Sequence, residues 1–299
     1  MTFNPLPLLT LVVFSLTGPL GAQDIKPETT GAYMGQSKPG KIPRLFAPNL
    51  ISVEGRYEFG ITFSKDLKEI YFSGNKEGEL STIFYTKQVN GVWTPVKKAN
   101  FTKDKVAGEL HPFISHDGKR IYFTGHDAEY GNNDIWYVER HQKSWGEAKK
   151  LVSPINEAEV FDSNEAQNGD LFYTDIYKAK IYHAPKIDGK FPKKIELPIE
   201  AGFHGFASLD QDFIIADDRH KENASRKDRD LYVYFKTKDG SWSQPINMGQ
   251  EVNSSFNETV PSLSPDGKYL FFSRYNEKNG LSNLYWVNAS VIEDLRPRQ

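Results

Sequence analysis

Short runs of alternating apolar and polar residues, separated by tight polar turns, are the dominant pattern of this chain. One phrase recurs five times: the end of an apolar run, a turn rich in Asp, Asn or Gly, and a second apolar run. The copies read TFSKDLKEIYFSG from Thr62, FISHDGKRIYFTG from Phe113, NEAQNGDLFYTD from Asn164, ASLDQDFIIADD from Ala207 and SLSPDGKYLFFSR from Ser262. Because Asp-Gly between two apolar runs is a strong hairpin signal, each copy predicts two antiparallel strands.

Two further elements follow the hairpins. A third apolar segment comes after every copy: TIFYT from Thr82, DIWYV from Asp134, KIYHA from Lys180, DLYVY from Asp230 and NLYWV from Asn283. A fourth element follows in four of the repeats and is marked by an aromatic residue, at Trp93, Trp145, Phe191 and Trp242. These aromatics lie about 50 residues apart, and a period of that length with four strands per unit is typical of a β-propeller blade.

The fifth repeat has no fourth strand, because the chain ends soon after its third segment. The segment from Lys41 to Phe46 precedes the first hairpin and has the composition of the missing piece. An open ring would leave two unpaired sheet edges, which promote aggregation. We therefore predict an all-β propeller of five four-stranded blades, closed by the N-terminal strand, over residues 41–299. A sixth, degenerate blade is an alternative to which no residues can be assigned.

The N-terminal segment indicates export. Its apolar part, Leu6 to Leu16, is shorter than the roughly 20 residues that span a bilayer, and it is followed by the small-residue pattern Leu20-Gly21-Ala22. We interpret residues 1–22 as a signal peptide, although no Lys or Arg precedes the apolar run, and residues 23–40 as a flexible lead-in. The mature chain is then periplasmic or secreted and has no transmembrane segment.

Composition excludes several classes of protein. The 299 residues carry a net charge of −2, with 38% hydrophobic and 25% charged residues, so the chain lacks the basic surface of a nucleic-acid-binding protein. Cysteine is absent, which rules out disulfides and cysteine metal sites. No nucleotide-binding glycine loop, nucleophile elbow, HExxH helix or EF-hand loop is present.

The repeat phrase resembles a known family. The stretches SPDGKYLFF, SHDGKRIYF, DIWYV and WSQPINMGQEVNSSFNETVPSLSPDG are similar to the WD40-like, TolB-type repeats of exported bacterial propellers, and the resemblance covers roughly Lys41 to Arg296. It implies the propeller fold. The family's repeats occur in periplasmic scaffold proteins, in envelope proteins and in some polysaccharide lyases and peptidases, so the resemblance leaves the activity open.

The first strand of each blade lines the channel of a propeller, so its side chains are candidate site residues. Six positions before the turn serine or its equivalent lie Glu58, Glu109 and Glu258, and four positions before it lie His111, Asp162 and His204. Since side chains two apart share one side of a strand, each trio is predicted to form a ring in the channel. The first trio is a candidate ligand site. Alternatively, it is a repeated structural device in which each carboxylate accepts hydrogen bonds from the backbone of the adjacent blade.

The second trio has two functional interpretations and one structural one. Two imidazoles and a carboxylate can hold a divalent metal such as Zn, Mn or Fe. The same groups can act as general acid and base in the cleavage of a glycan. In the structural alternative, His111, Asp162 and His204 are solvated channel residues that pair with one another.

The loops after the second strands are candidate recognition elements, because loops on a rigid ring carry binding sites in many folds. They are long and charged, and a sugar or a carboxylate can stack on or pair with Tyr130, Arg219, His220, Arg274 and Tyr275. The alternative is that these are ordinary solvated loops. The tryptophan series at Trp93, Trp145 and Trp242 is interpreted as packing between blades, with a sugar platform as the alternative.

The leading functional hypothesis is an exported, non-catalytic binding or scaffold protein that recognises a glycan or an envelope protein. It depends on a clear repeat ring that lacks a strong catalytic signature. The rival hypothesis is a polysaccharide lyase or glycoside hydrolase with His111, Asp162 and His204 at its centre, dependent on a divalent metal if those residues bind one.

Overall fold

The computed structural model of the protein describes residues 29–142, 144–200, 202–219, 226–276 and 281–298. The regular structure in these ranges is almost entirely β-strand, arranged in five antiparallel sheets. The innermost strands of consecutive sheets contact one another, and the fifth contacts the first. The protein is therefore a closed five-bladed β-propeller, as predicted. The proposed signal peptide, residues 1–22, lies outside the described residues.

In each of the first two blades, the outer edge consists of two short strands instead of one. Blade 1 contains β2 (Tyr57–Phe63), β3 (Glu69–Asn75), β4 (Thr82–Val89), β5 (Val92–Trp93) and β6 (Lys97–Lys98). Blade 2 contains β7 (Gly108–Ile114), β8 (Arg120–His126), β9 (Asp134–His141), β10 (Ser144–Trp145) and β11 (Lys149–Lys150). The two short outer strands of each blade pair with different parts of its third strand.

The other three blades have four strands each. Blade 3 contains β12 (Val160–Glu165), β13 (Leu171–Asp175), β14 (Lys180–Ala184) and β15 (Ile195–Glu196). Blade 4 contains β16 (Gly205–Ala207), β17 (Phe213–Arg219), β18 (Arg229–Phe235) and β19 (Ile246–Asn247). Blade 5 contains β20 (Asn257–Leu263), β21 (Tyr269–Asn276), β22 (Leu281–Asn288) and β1 (Arg44–Leu45).

Strand β1 closes the ring, which confirms the predicted closure. Arg44 lies opposite Trp286 and Leu45 opposite Tyr285 in an antiparallel pair. The following residue, Phe46, is fully buried in a cluster of apolar side chains from blades 1 and 5. All five sheets are thus accounted for, and the described residues form no sixth blade.

The outer edge of the blades matches the prediction in part. Trp93 and Trp145 lie in the short outer strands β5 and β10, as expected, and a second outer strand, β6 or β11, begins about four residues later. In blades 3 and 4 the aromatics Phe191 and Trp242 precede the fourth strands, β15 and β19, by about four residues. A proline follows three of the four aromatics within three residues. Because proline cannot donate a ladder hydrogen bond, the chain leaves the sheet there and rejoins it afterwards.

Part of the lead-in packs on the ring instead of forming a flexible linker. Tyr33 and Met34 are buried in the cluster shared by blades 1 and 5. The Tyr33 hydroxyl donates to Asp266 Oδ1 over 2.8 Å. The Trp93 indole N–H and the Gln88 amide both donate to the Gly31 carbonyl. These contacts secure residues 29–36 against blades 1 and 5.

Among the residues that the structure describes, helical structure is limited to short segments. There are 3-10 turns at Ala32–Gly35 and Pro154–Glu157 and an α-helical turn, α1, at Ser290–Glu293. None of the helices described here has the length and apolar character needed to cross a membrane.

Candidate functional site

The turn between the first two strands is a structural motif that repeats around the ring. In blade 1 the Ser64 hydroxyl donates to Asp66 and accepts from the Glu69 amide. The same serine–aspartate pair recurs in blades 2, 4 and 5. These aspartates therefore stabilise their own turns, as the sequence predicts.

In four of the blades, the residue four positions before the turn serine, or before its equivalent, has a left-handed backbone conformation. The φ angles are 55° for Gly60, 53° for His111, 55° for Asp162 and 52° for Val260. At each of these residues the pairing register of the innermost strand shifts. Such a bulge breaks the simple alternation of side chains, so the two predicted trios do not lie on one side of a regular strand.

His111, Asp162 and His204 nevertheless meet near the axis. His111 Nδ1 lies 3.0 Å from Asp162 Oδ1. The imidazole rings of His111 and His204 stack, with centroids 5.4 Å apart and planes inclined by 18°. The predicted convergence of three consecutive blades is thus present in the structure, and we call these residues with Asp217 the His–Asp cluster.

Asp217 was not among the residues predicted for this site. Its carboxylate is fully buried, lies 2.7 Å from His204 Nδ1 and pairs with the Arg229 guanidinium. In the second strands of the other four blades, the residue at the position equivalent to Asp217 has a small side chain with a hydroxyl group. These residues are Ser73 in β3, Thr124 in β8, Thr174 in β13 and Ser273 in β21. Aligning the second strands of the repeats would have revealed this departure.

Burial and pairing determine the charges in the cluster. Burial lowers the pKa of His111 and outweighs the opposing effect of Asp162, so this imidazole is neutral near pH 7. Burial alone would raise the pKa of Asp217, but His204 and Arg229 together hold it below its usual range. The rings of Phe59, Phe161 and Phe203 surround the two imidazoles.

The described geometry identifies no metal site at the cluster. The Nδ1 atoms of His111 and His204 pair with carboxylates, and the two rings are nearly parallel. Among the described residues there is no group of three His, Asp or Glu side chains placed to hold a metal ion. The structure therefore gives no support to the predicted divalent metal at His111, Asp162 and His204.

The three glutamates lie in a different environment from the one predicted. Glu58, Glu109 and Glu258 are buried, and none of them lines an axial cavity. Each accepts a hydrogen bond from a backbone N–H of the segment that leads into its blade, at Val53, Thr102 and Ser254 respectively. This geometry matches the structural alternative, although the donors belong to the entering segment and not to a neighbouring blade.

The predicted loop residues that the structure describes have different neighbours. Arg274 pairs with Glu258 and lies over the Tyr285 ring, so its guanidinium is engaged within the protein. The Tyr275 ring contacts Tyr57 at 5.4 Å. Tyr130 is 48% exposed and stacks on His126. Arg219 is exposed, and His220 lies outside the described residues.

A large cavity opens at the turn end of the innermost strands, and sequence reasoning missed it. This axial well has a volume of about 420 Å³. Its rim carries the residue that follows the turn serine, or its equivalent, in each blade: Lys65, His116, Gln167, Leu209 and Pro265. Its lining is largely apolar and includes Phe63, Phe113, Phe206, Phe213, Leu263 and Ile292.

A narrow part of the axis separates the well from the His–Asp cluster. The cavity between them measures only about 20 Å³ and is lined by His111 and Asp162 at one end and by Phe113 and Phe206 at the other. That volume suffices for one water molecule. The two phenylalanine rings lie 6.5 Å apart and form the floor of the well.

Proteins similar to this chain are found among solved structures. No protein-family model and no curated protein matches the sequence. Among solved structures, the chain is similar to a putative TolB from Agrobacterium tumefaciens, with 17% identity, TM-score 0.48, and 73% of this chain and 70% of that chain covered. TolB from Acinetobacter baumannii gives 17% identity and TM-score 0.48 over 77% of this chain and 53% of that one.

A third similar structure is an enzyme domain. The catalytic domain of a GH62 α-L-arabinofuranosidase from Coprinopsis cinerea shares 10% identity at TM-score 0.50, with 83% of this chain and 97% of that chain covered. At such identities the likeness concerns the fold alone. The class defined by the structure is a five-bladed β-propeller with an axial well, and the choice between binding and catalysis depends on the sites themselves.

Proposed function

We propose that the chain is an exported, non-catalytic binding protein that takes an apolar segment of a protein partner into the axial well. The observation that carries this proposal is the well itself, a cavity of about 420 Å³ to which all five blades contribute. A concave, largely apolar pocket with a few polar groups at its rim is the usual form of a binding site. The apolar N-terminal segment supports export.

The lining favours a protein segment over a glycan as the occupant of the well. Its floor is formed by Phe113 and Phe206, which offer no hydrogen bonds to sugar hydroxyl groups. Charged side chains are confined to the edge, with Lys65 on one side of the ring and Asp210 and Glu293 on the blade 4 and C-terminal side. This arrangement suits a large apolar side chain that enters the well while its flanking residues meet the charged edge.

Selection from a random peptide display library, with the purified protein as bait, tests the proposal. We expect enriched peptides that contain a large aliphatic or aromatic residue and that bind in solution. The variant Gln167→Trp places an indole at the rim and should weaken this binding at least tenfold. Lys119→Trp adds the same side chain at an exposed position of the same face, outside the well, and should leave binding unchanged.

Two outcomes would contradict the proposal that the partner binds in the axial well. One is the absence of any enriched apolar motif. The other is an equal loss of binding in the two tryptophan variants, since the effect would then not depend on access to the well.

The His–Asp cluster favours a second candidate, acid–base catalysis on a polysaccharide. Carboxylates bind Nδ1 of both His111 and His204, and the described residues provide no hydrogen bond to either Nε2. Such pairing fixes the tautomer and leaves Nε2 available to accept a proton. Assays for reducing ends and unsaturated products on alginate and polygalacturonate check this candidate. Activity that survives in His111→Ala/His204→Ala would eliminate the cluster as its source.

A further inference from the structure

A second concave site lies between blades 1 and 2, away from the axis. This blade 1–2 cleft has a volume of about 320 Å³. Its aromatic lining consists of Tyr71, Tyr85, Phe101 and Trp145, and its polar lining includes Glu69, Lys87, Asn100 and Lys103. Neither the axial well nor the His–Asp cluster shares a residue with it.

The aromatic side chains of the cleft are held in fixed positions. Tyr71 and Tyr85 stack with centroids 5.7 Å apart, and Trp145 meets the Tyr71 ring edge-on at 6.3 Å. The Trp145 indole N–H donates to the Tyr71 hydroxyl over 2.7 Å. Arg140 lies 4.0 Å above the Trp145 ring. Tyr71 is buried by these contacts, whereas Tyr85 and Trp145 remain partly exposed.

Comparison with blade 2 shows that the rings of Tyr85 and its counterpart have different neighbours. Tyr137 has the same register position in that blade, but the Arg120 guanidinium covers it at 5.0 Å. In blade 1 the position of Arg120 carries Glu69 instead. The Glu69 carboxylate points to the next blade, where Arg140 binds both of its oxygens at 2.9 and 2.6 Å. No cation among the described residues therefore lies over Tyr85.

The edge of the cleft is positively charged. Lys87 and Lys103 are exposed, and neither forms an ion pair within the described part of the chain. Glu69, the carboxylate that lines the cleft, is neutralised by Arg140. The cleft thus offers an aromatic face beside two ammonium groups that have no carboxylate partner.

From this arrangement we propose that the blade 1–2 cleft binds an acidic saccharide. The apolar face of a uronate ring packs on Tyr85, and its carboxylate pairs with Lys87 or Lys103. An amphipathic aromatic ring supplies contact area at low conformational cost, and an ammonium–carboxylate pair adds a charge-assisted hydrogen bond. The proposal does not depend on the occupant of the axial well.

Calorimetric titration of the full chain with alginate and galacturonate oligosaccharides tests the inference, with dextran oligosaccharides as the neutral comparison. We expect binding of the acidic sugars only, and a loss of at least tenfold in Tyr85→Ala. Tyr137→Ala removes the equivalent ring of blade 2 and should bind as the wild type does. Lys87→Gln/Lys103→Gln should weaken binding and reduce its dependence on salt.

Several results would overturn the proposal: no binding of either acidic sugar, equal binding of dextran, or wild-type affinity in Tyr85→Ala. If Tyr85→Ala does not fold, Tyr85→Leu retains the apolar packing on Tyr71 while removing the aromatic face. Wild-type affinity in that variant would likewise exclude Tyr85 as the sugar platform.

Discussion

Glu58 is a fully buried carboxyl near the start of β2. Its Oε1 accepts hydrogen bonds from Arg56 and Val53, but its Oε2 is buried without a partner. Burial raises the pKa of this group to about 7, because the cost of desolvating the carboxylate exceeds the attraction of Arg56. The ionised form is therefore disfavoured in the folded state.

This shift predicts a loss of stability as the pH rises. A folded-state pKa above the unfolded value means that the folded protein binds the extra proton. The contribution of Glu58 is then present below about pH 4.5 and is lost as the pH approaches about 7. In the wild type, we expect the free energy of unfolding to fall by an amount on the order of 2 kcal/mol between pH 5 and 7.5, measured by urea denaturation. Glu58→Gln should lack this decline. Glu77→Gln, at an exposed position, should retain the full decline; equal curves for the two variants would contradict the assignment.

At the scale of the element, the five hairpins were predictable and the bulges were not. The turn of each hairpin is specified by adjacent residues, as the bond between Ser264 and Asp266 shows. The left-handed residue of the bulge has no such local signature, since Gly60 and Val260 both adopt it. A β-branched residue rarely has positive φ, so the ring imposes this conformation on Val260 through its neighbours.

The strand that closes the ring, β1, is expected to contribute to the stability of the protein. Phe46 follows β1, is fully buried, and contacts the rings of Phe63, Phe271 and Trp286. We expect Phe46→Ala to cost about 3–5 kcal/mol in the free energy of unfolding, because it leaves a cavity where the two ends of the chain meet. Chemical denaturation measures this, and Ile42→Ala, at a site that is 73% exposed, serves as the control. Similar effects of the two changes would mean that β1 contributes little to closure.

For the whole molecule, the segment before β1 belongs to the folded unit. Tyr33 contacts the rings of Phe63, Tyr269 and Trp286, which come from both blades at the closure. Tyr33 and Met34 cover an apolar cluster that would otherwise be open to water. Residues 29–36 thus protect the seam at which the ring is joined.

Truncation tests this role. We expect a chain that begins at Ser37 to melt on the order of 5 °C lower than one that begins at Thr29, because removal of Tyr33 and Met34 exposes the apolar cluster. Differential scanning calorimetry measures the two melting temperatures. Equal values would show that the segment lies on the ring without stabilising it.

The sequence by itself determined the number of blades, their order and the closure at Arg44–Leu45. These follow from local turn chemistry and from a repeat period, both of which are written in neighbouring residues. It also predicted that His111, Asp162 and His204 lie near one another, because the innermost strands of all blades face one axis.

Only the tertiary structure decided which groups surround the side chains at the repeat positions. The pairing of Asp217 with His204 and the burial of Glu58 are visible only in the folded blades. The surroundings of Tyr85 depend on Arg140 of the next blade, which binds the Glu69 carboxylate. The axial well likewise exists only because five turns meet at one end of the ring. A repeat specifies where its own strands turn, but the contacts of a side chain across a seam depend on the neighbouring repeat.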